Sequence, residues 1–79
     1  MHQKSHIMHL EELFQTIKAR REMLQVTQET LAELSDVGLR TLKQLESGKG
    51  NPTLQTLQKL ADVLGMEVCL QLKKKKNNP

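Results

Sequence analysis

Between Thr27 and Gly48 the chain reads TQETLAELSDVGLRTLKQLESG. Thr27 is a good helix N-cap, and Gly48 is suited to end a helix in the left-handed conformation. Asp36-Val37-Gly38 forms a tight turn between them. The stretch predicts two short helices, Gln28 to Ser35 and Leu39 to about Ser47, separated by three or four turn residues. Ala32 falls where the two helices cross, and so small a side chain permits close approach. Leu31, Ala32 and Leu34 are the apolar residues of the first helix, and Leu42 and Leu45 serve the core from the second. Leu39, Arg40, Lys43, Gln44 and Ser47 are left for its outer face.

The flanking segments supply the rest of a core. Leu10, Leu13, Phe14, Ile17, Arg21 and Leu24 recur at steps of three and four, which predicts a helix over 9–25. Gln25-Val26 makes a short connection. Gly48-Lys49-Gly50-Asn51-Pro52 is a loop by composition, and Thr53 caps a fourth helix with Leu54, Leu57, Leu60, Ala61 and Leu64 on one stripe. Gly65 closes it. Then the period changes to two: Met66, Val68, Leu70 and Leu72 alternate with Glu67, Cys69 and Gln71, as in a half-buried strand. No second strand exists in the sequence to pair with it. Unpaired backbone groups are costly, so the economical partner is the same strand of a second copy.

The expected fold is thus all-α, a compact four- to five-helix bundle, plus a C-terminal β-strand pairing across a homodimer. Residues 1–8 form a flexible N-terminus, 9–65 the helical domain, 66–72 the dimerisation strand, and 73–79 a disordered basic tail. Met66, Val68, Cys69, Leu70 and Leu72 carry dimerisation. Cys69 itself reads as an inert small residue near the ribbon rather than a reactive thiol.

Composition removes several classes of function. A chain of 79 residues forms one small domain, burying about 60% of the surface it exposes when unfolded. That leaves little room for a deep catalytic pocket or a ligand-sensing domain. A single Cys supports no disulfide framework, and the N-terminal segment lacks the apolar run of a signal peptide, so a cytoplasmic setting is expected. No stretch is long and apolar enough to span a bilayer. The net charge of +3 comes from Lys73, Lys74, Lys75 and Lys76; without them 8 basic residues face 9 acidic ones. Bulk charge therefore does not point to nucleic acid. His2, His6 and His9 lack accompanying ligands that fix a metal geometry, so no metal and no cofactor are expected. No nucleophile–base pair or phosphate-cradling glycine loop has a supporting context, so no enzyme is expected either.

The two-helix spacing is that of a helix-turn-helix, whose second helix enters the major groove while the first lies across the DNA backbone. On its own, an outer face of Arg40, Lys43 and Gln44 is a solvated surface. In this setting Arg can donate twice to guanine and Gln can make a bidentate pair with adenine.

Three runs of residues carry a resemblance to a known family. They are Arg20-Arg21-x-x-Leu24-x-x-Thr27-Gln28-x-x-Leu31-Ala32, Leu42-x-x-Leu45-Glu46-x-Gly48-Lys49, and Asn51-Pro52-Thr53-Leu54-x-Thr56-Leu57. Together they resemble the XRE-type helix-turn-helix family, which includes the lambdoid phage repressors and Cro. The resemblance implies five helices, where the residues here account for four and a strand. It implies base contacts from Leu39, Arg40, Lys43 and Gln44, and phosphate contacts from Thr27, Gln28, Thr41, Ser47, Lys49 and Asn51. It also implies a structural ion pair between Arg21 and Glu46. Two positions depart from the pattern. Gly38 stands where Ser or Thr often caps the recognition helix. Leu39 replaces a polar base reader, so it meets a thymine methyl, packs inward or serves a protein partner. The segment MEVCLQLK is similar to the C-terminal strand of HipB-like antitoxins.

Two functions follow from these readings. One is a bacterial repressor that binds a pseudo-palindromic operator as a homodimer, associated with the nucleoid when bound. The other is a HipB-like antitoxin that neutralises a HipA-type toxin and autoregulates its operon. A protein-bridging module that has lost DNA binding is a third reading, kept open by Gly38 and Leu39.

Overall fold

A computed structural model describes residues 10–70. Four helices follow in order: α1 (Leu10–Met23), α2 (Gln28–Ser35), α3 (Leu39–Glu46) and α4 (Leu54–Val63). Their starts follow from local chemistry. Glu11 and Glu12 occupy the first turn of α1 and Arg20 and Arg21 its last, each favourable to the helix dipole. Thr27 and Thr53 cap α2 and α4 in the same way, each hydroxyl accepting the N–H three residues on, from Thr30 at 3.0 Å and Thr56 at 3.1 Å. Each capping hydroxyl also donates to the hydroxyl of that second threonine.

All four helices end in the same turn, in which two amides past the end bond back to carbonyls of the last turn. The pairs are Gln25 to Glu22 with Val26 to Arg21, and Asp36 to Glu33 with Val37 to Ala32. Gly48 to Leu45 pairs with Lys49 to Gln44, and Gly65 to Asp62 pairs with Met66 to Ala61. The turn needs one residue of positive φ. Gly48 and Gly65 provide it for α3 and α4, but Gln25 (φ 60°) and Asp36 (φ 59°) provide it for α1 and α2. Gly38, by contrast, is extended at φ −60° and ψ 140°. In the turn between α2 and α3, then, the left-handed residue is Asp36 and not the glycine.

The core gathers Phe14 and Ile17 from α1, Leu31 and Ala32 from α2, and Leu42 and Leu45 from α3. Leu57, Leu60 and Leu64 join them from α4 and its end. α2 packs against both α3 and α4, and α1 packs against α3. Val37, in the turn, is buried as well. Ser35 is buried and returns its hydroxyl to the Leu31 carbonyl at 2.6 Å, which satisfies it within its own helix.

Several leucines read as core residues are not. Leu34 is 64% exposed and Leu54 59%, while Leu10 and Leu24 lie largely open at the two ends of the α1 stripe. α2 turns only Leu31, Ala32 and Ser35 inward, and Leu34 falls on its far side.

The expected C-terminal strand has no ladder here. Residues 66–70 carry no regular secondary structure among the described residues. Its alternation is visible at first: Met66 and Val68 pack against the core edge, while Glu67 and Cys69 are exposed. Leu70 breaks it by being fully exposed. Leu72, the expected flexible N-terminus over 1–8 and the basic tail over 73–79 lie outside the described residues.

Left-handed backbone costs a side-chain-bearing residue free energy that glycine does not lose. Gln25→Gly and Asp36→Gly should therefore each raise stability by about 0.5–1 kcal/mol, net of the greater freedom of the unfolded chain. Gly48→Ala, forced to φ +86°, should lower it by about 1 kcal/mol. A shift of the urea midpoint at unchanged slope is the measure.

Candidate nucleic-acid interface

The interface is built on a charged node behind α3. Arg21 of α1 donates through Nε and Nη2 to the two oxygens of Glu46, at 2.7 and 2.9 Å. Its Nη1 donates to the Val26 carbonyl at 2.7 Å, in the α1–α2 connection. Gln28, the first residue of α2, donates its side-chain amide to Glu46 at 2.9 Å. The Glu46 side chain is 3% exposed and that of Arg21 11%. The fork is planar and bidentate, the strongest geometry such a pair has. Hydrogen bonding to Glu46 lifts the Arg21 guanidinium above its ordinary pKa, against the opposing effect of burial. The node thus joins α1, the connection, the start of α2 and the end of α3.

With its inner face fixed by Leu42, Leu45 and Glu46, α3 presents Arg40, Thr41, Lys43 and Gln44 to solvent. Leu39, Arg40, Lys43 and Gln44 line one shallow depression. Leu39 is half-buried against the core and also lines this depression. Among the described residues, neither Arg40, Lys43 nor Lys49 forms a salt bridge, so their charges face outward uncompensated. Gly38 gives α3 no side-chain cap, and a Cβ there would meet only Thr41 Oγ1 at 3.8 Å.

The loop after α3 is tightly held. The Gln44 carbonyl accepts three hydrogen bonds, from Ser47 N (3.2 Å), Ser47 Oγ (2.7 Å) and Lys49 N (2.9 Å). Gly50, at φ +87°, lies over the Gln44 side chain. The hydroxyl protons of Ser47 and Thr27 are thus engaged within the chain, at the Gln44 carbonyl and the Thr30 hydroxyl. Lys49 and Asn51 are exposed.

The structure also brings forward residues that the sequence left aside. Lys18 of α1 lines a second depression with Arg21, Gln28, Lys43, Glu46 and Ser47. Only its position three residues before Arg21 hinted at this. Thr30 completes the α2 cap. Arg20 donates Nε to the Leu64 carbonyl at 2.9 Å, a partner 44 residues away that no local pattern reveals. No cluster of His, Cys, Asp or Glu placed to hold a metal occurs among the described residues, and His2, His6 and His9 lie outside them. No helix among the described residues is long and apolar enough to cross a membrane.

Removing one partner of a buried charge pair strands the other. Glu46→Gln should lower stability by about 2–3 kcal/mol. Replacing an exposed acid such as Glu33 should stay within about 0.5 kcal/mol. Paired urea titrations distinguish the two.

A helix-turn-helix family model matches residues 17–70. Among solved structures, a chain described as "MDT Protein" aligns with a TM-score of 0.75 at 25% identity, covering 90% of this chain and 100% of its own length. A chain from "Structure of HipA-HipB-O2-O3 complex" aligns with the same TM-score, identity and coverage. No curated protein sequence matches. The chain belongs to the HTH_3, XRE-type helix-turn-helix family of DNA-binding regulators.

Proposed function

We propose that this protein is a sequence-specific transcriptional repressor of the bacterial cytoplasm, which binds a pseudo-palindromic operator as a homodimer. The observation that carries the reading is the setting of α3: its core face is locked by the Arg21–Glu46–Gln28 node while Arg40, Lys43 and Gln44 stand free and unpaired. A helix held this way offers a major groove a fixed row of side chains. Arg40 is assigned a guanine and Gln44 an adenine, with Lys43 beside them and Leu39 against a thymine methyl. Phosphates fall to Lys49, Asn51 and Thr41 around α3, and to Gln28 at the start of α2. Lys18 joins this second group, because it shares a depression with Gln28, Lys43 and Ser47. Ser47 and Thr27 act as acceptors and caps unless their hydroxyls rotate away from their present bonds. The segment from Met66 onward, with Cys69, Leu70 and Leu72, pairs two copies.

The second reading is a HipB-like antitoxin that holds a HipA-type toxin protein and represses its own operon. What favours it is the likeness to a chain of the HipA-HipB-O2-O3 complex over 90% of this chain. Both readings use the same DNA-binding face. They part on whether a second protein co-purifies, and on whether that protein is toxic when expressed alone.

Selection from a pool of randomised duplexes at about 150 mM salt, where purely electrostatic binding is weak, tests the DNA reading. Arg40→Ala should cost about 1–3 kcal/mol and relax preference at one base position per half-site. Lys49→Ala should weaken all sequences alike and flatten the salt dependence by about one unit of slope. If neither substitution changes binding, α3 is not the reading helix.

A further inference from the structure

Arg20 and Arg21 are neighbours in sequence and hold the ends of two different helices. Arg21 holds the end of α3 through Glu46. Arg20 holds the end of α4: its Nε donates to the Leu64 carbonyl at 2.9 Å. That carbonyl belongs to the last turn of α4, which has no helical partner of its own. Arg20 also lies close against the following residue, since a Cβ at Gly65 would sit 3.4 Å from its Nη2. From this turn the C-terminal segment departs. Met66 N bonds to the Ala61 carbonyl at 2.8 Å, and Met66 and Val68 rest half-buried on the core. The direction in which residues 66–70 leave the domain is set at the spot where the guanidinium lies.

We propose that Arg20 is a positioning residue which fixes the C-terminal segment relative to α3, and so sets the spacing at which two α3 helices meet DNA. The proposal rests on the homodimer reading above. If two copies pair through their C-terminal segments, any swing of that segment against the domain becomes a change in the separation of the two recognition helices. That separation must match successive major grooves, about 34 Å apart. Two adjacent side chains on the rigid α1 connect the exit turn of α4 to the end of α3, with no flexible segment between them. An arginine placed here only to satisfy a helix end would stabilise the fold without affecting spacing.

The test compares wild type, Arg20→Met and Gly65→Ala as full chains, in selection from randomised duplexes and in sedimentation equilibrium. Methionine keeps an apolar stem and removes the donor. Alanine at Gly65 strains a φ of +73° at the exit turn, with its Cβ in contact with the guanidinium. Wild type should select two inverted half-sites at one spacing. Each variant should select the same half-site, which shows that α3 and the fold are intact, but at scattered spacings. Each should also dimerise about tenfold or more weakly, near 1.4 kcal/mol. Ile17→Val, a core change that lowers stability without touching the exit turn, should keep the wild-type spacing. Retention of a single spacing by both variants overturns the role of Arg20 while leaving the dimer intact. A wild type that stays monomeric, or selects only single half-sites, overturns the dimer reading and this proposal with it.

Discussion

The Arg21–Glu46 pair is the interaction on which the rest of this small domain depends. Taking two charges out of water costs several kcal/mol each, and only near-ideal geometry recovers it. Here Glu46 receives three donors, two from Arg21 and one from Gln28. What the pair contributes over an apolar substitute is direction. Leu42 and Leu45 attach α3 to the core but would accept a range of rotations about its axis, since burial is non-directional. A bidentate fork does not. Because Glu46 is the last residue of α3, fixing its carboxylate fixes which residues of that helix face outward.

The same economy appears in α1. It gives the core only Phe14 and Ile17 as buried side chains, yet it reaches α3 and the end of α4 through one arginine each. In a chain of this size, with few large apolar residues to bury, hydrogen bonds from long side chains to helix ends and carbonyls take over orientation. Arg20 reaches a partner 44 residues away and Arg21 one 25 residues away, so each ties α1 to a distant part of the chain.

Much of this was legible in the sequence because it rests on local chemistry. The threonine caps, the closing glycines Gly48 and Gly65 and the 3.6-residue stripes place all four helices within a residue or two of where they lie. The family pattern also pairs Arg21 with Glu46, and the two lie in hydrogen-bond contact. What the sequence concealed depends on tertiary or quaternary context. Leu34 and Leu54 look like stripe members, but burial is decided by which side meets a neighbour. Asp36 rather than Gly38 takes the left-handed turn, because the register of the α2 end selects it. Arg20 and Lys18 gain their positions only when α1 is packed. Readout of individual bases is a property of contact with DNA, so the assignments of Arg40, Lys43 and Gln44 rest on the family pattern and on exposure.

The triply bonded Gln44 carbonyl bears on how this surface would meet a duplex. With Ser47 and Lys49 tied to that carbonyl and Gly50 lying over the Gln44 side chain, the start of the loop after α3 is held against the helix. Binding that must first order a segment gives up part of its interaction energy to do so, and shows a large heat-capacity decrease from the coupled folding. A loop ordered in advance avoids both. Its calorimetric signature would be the modest heat-capacity change of docking alone, with affinity carried by charge and fit.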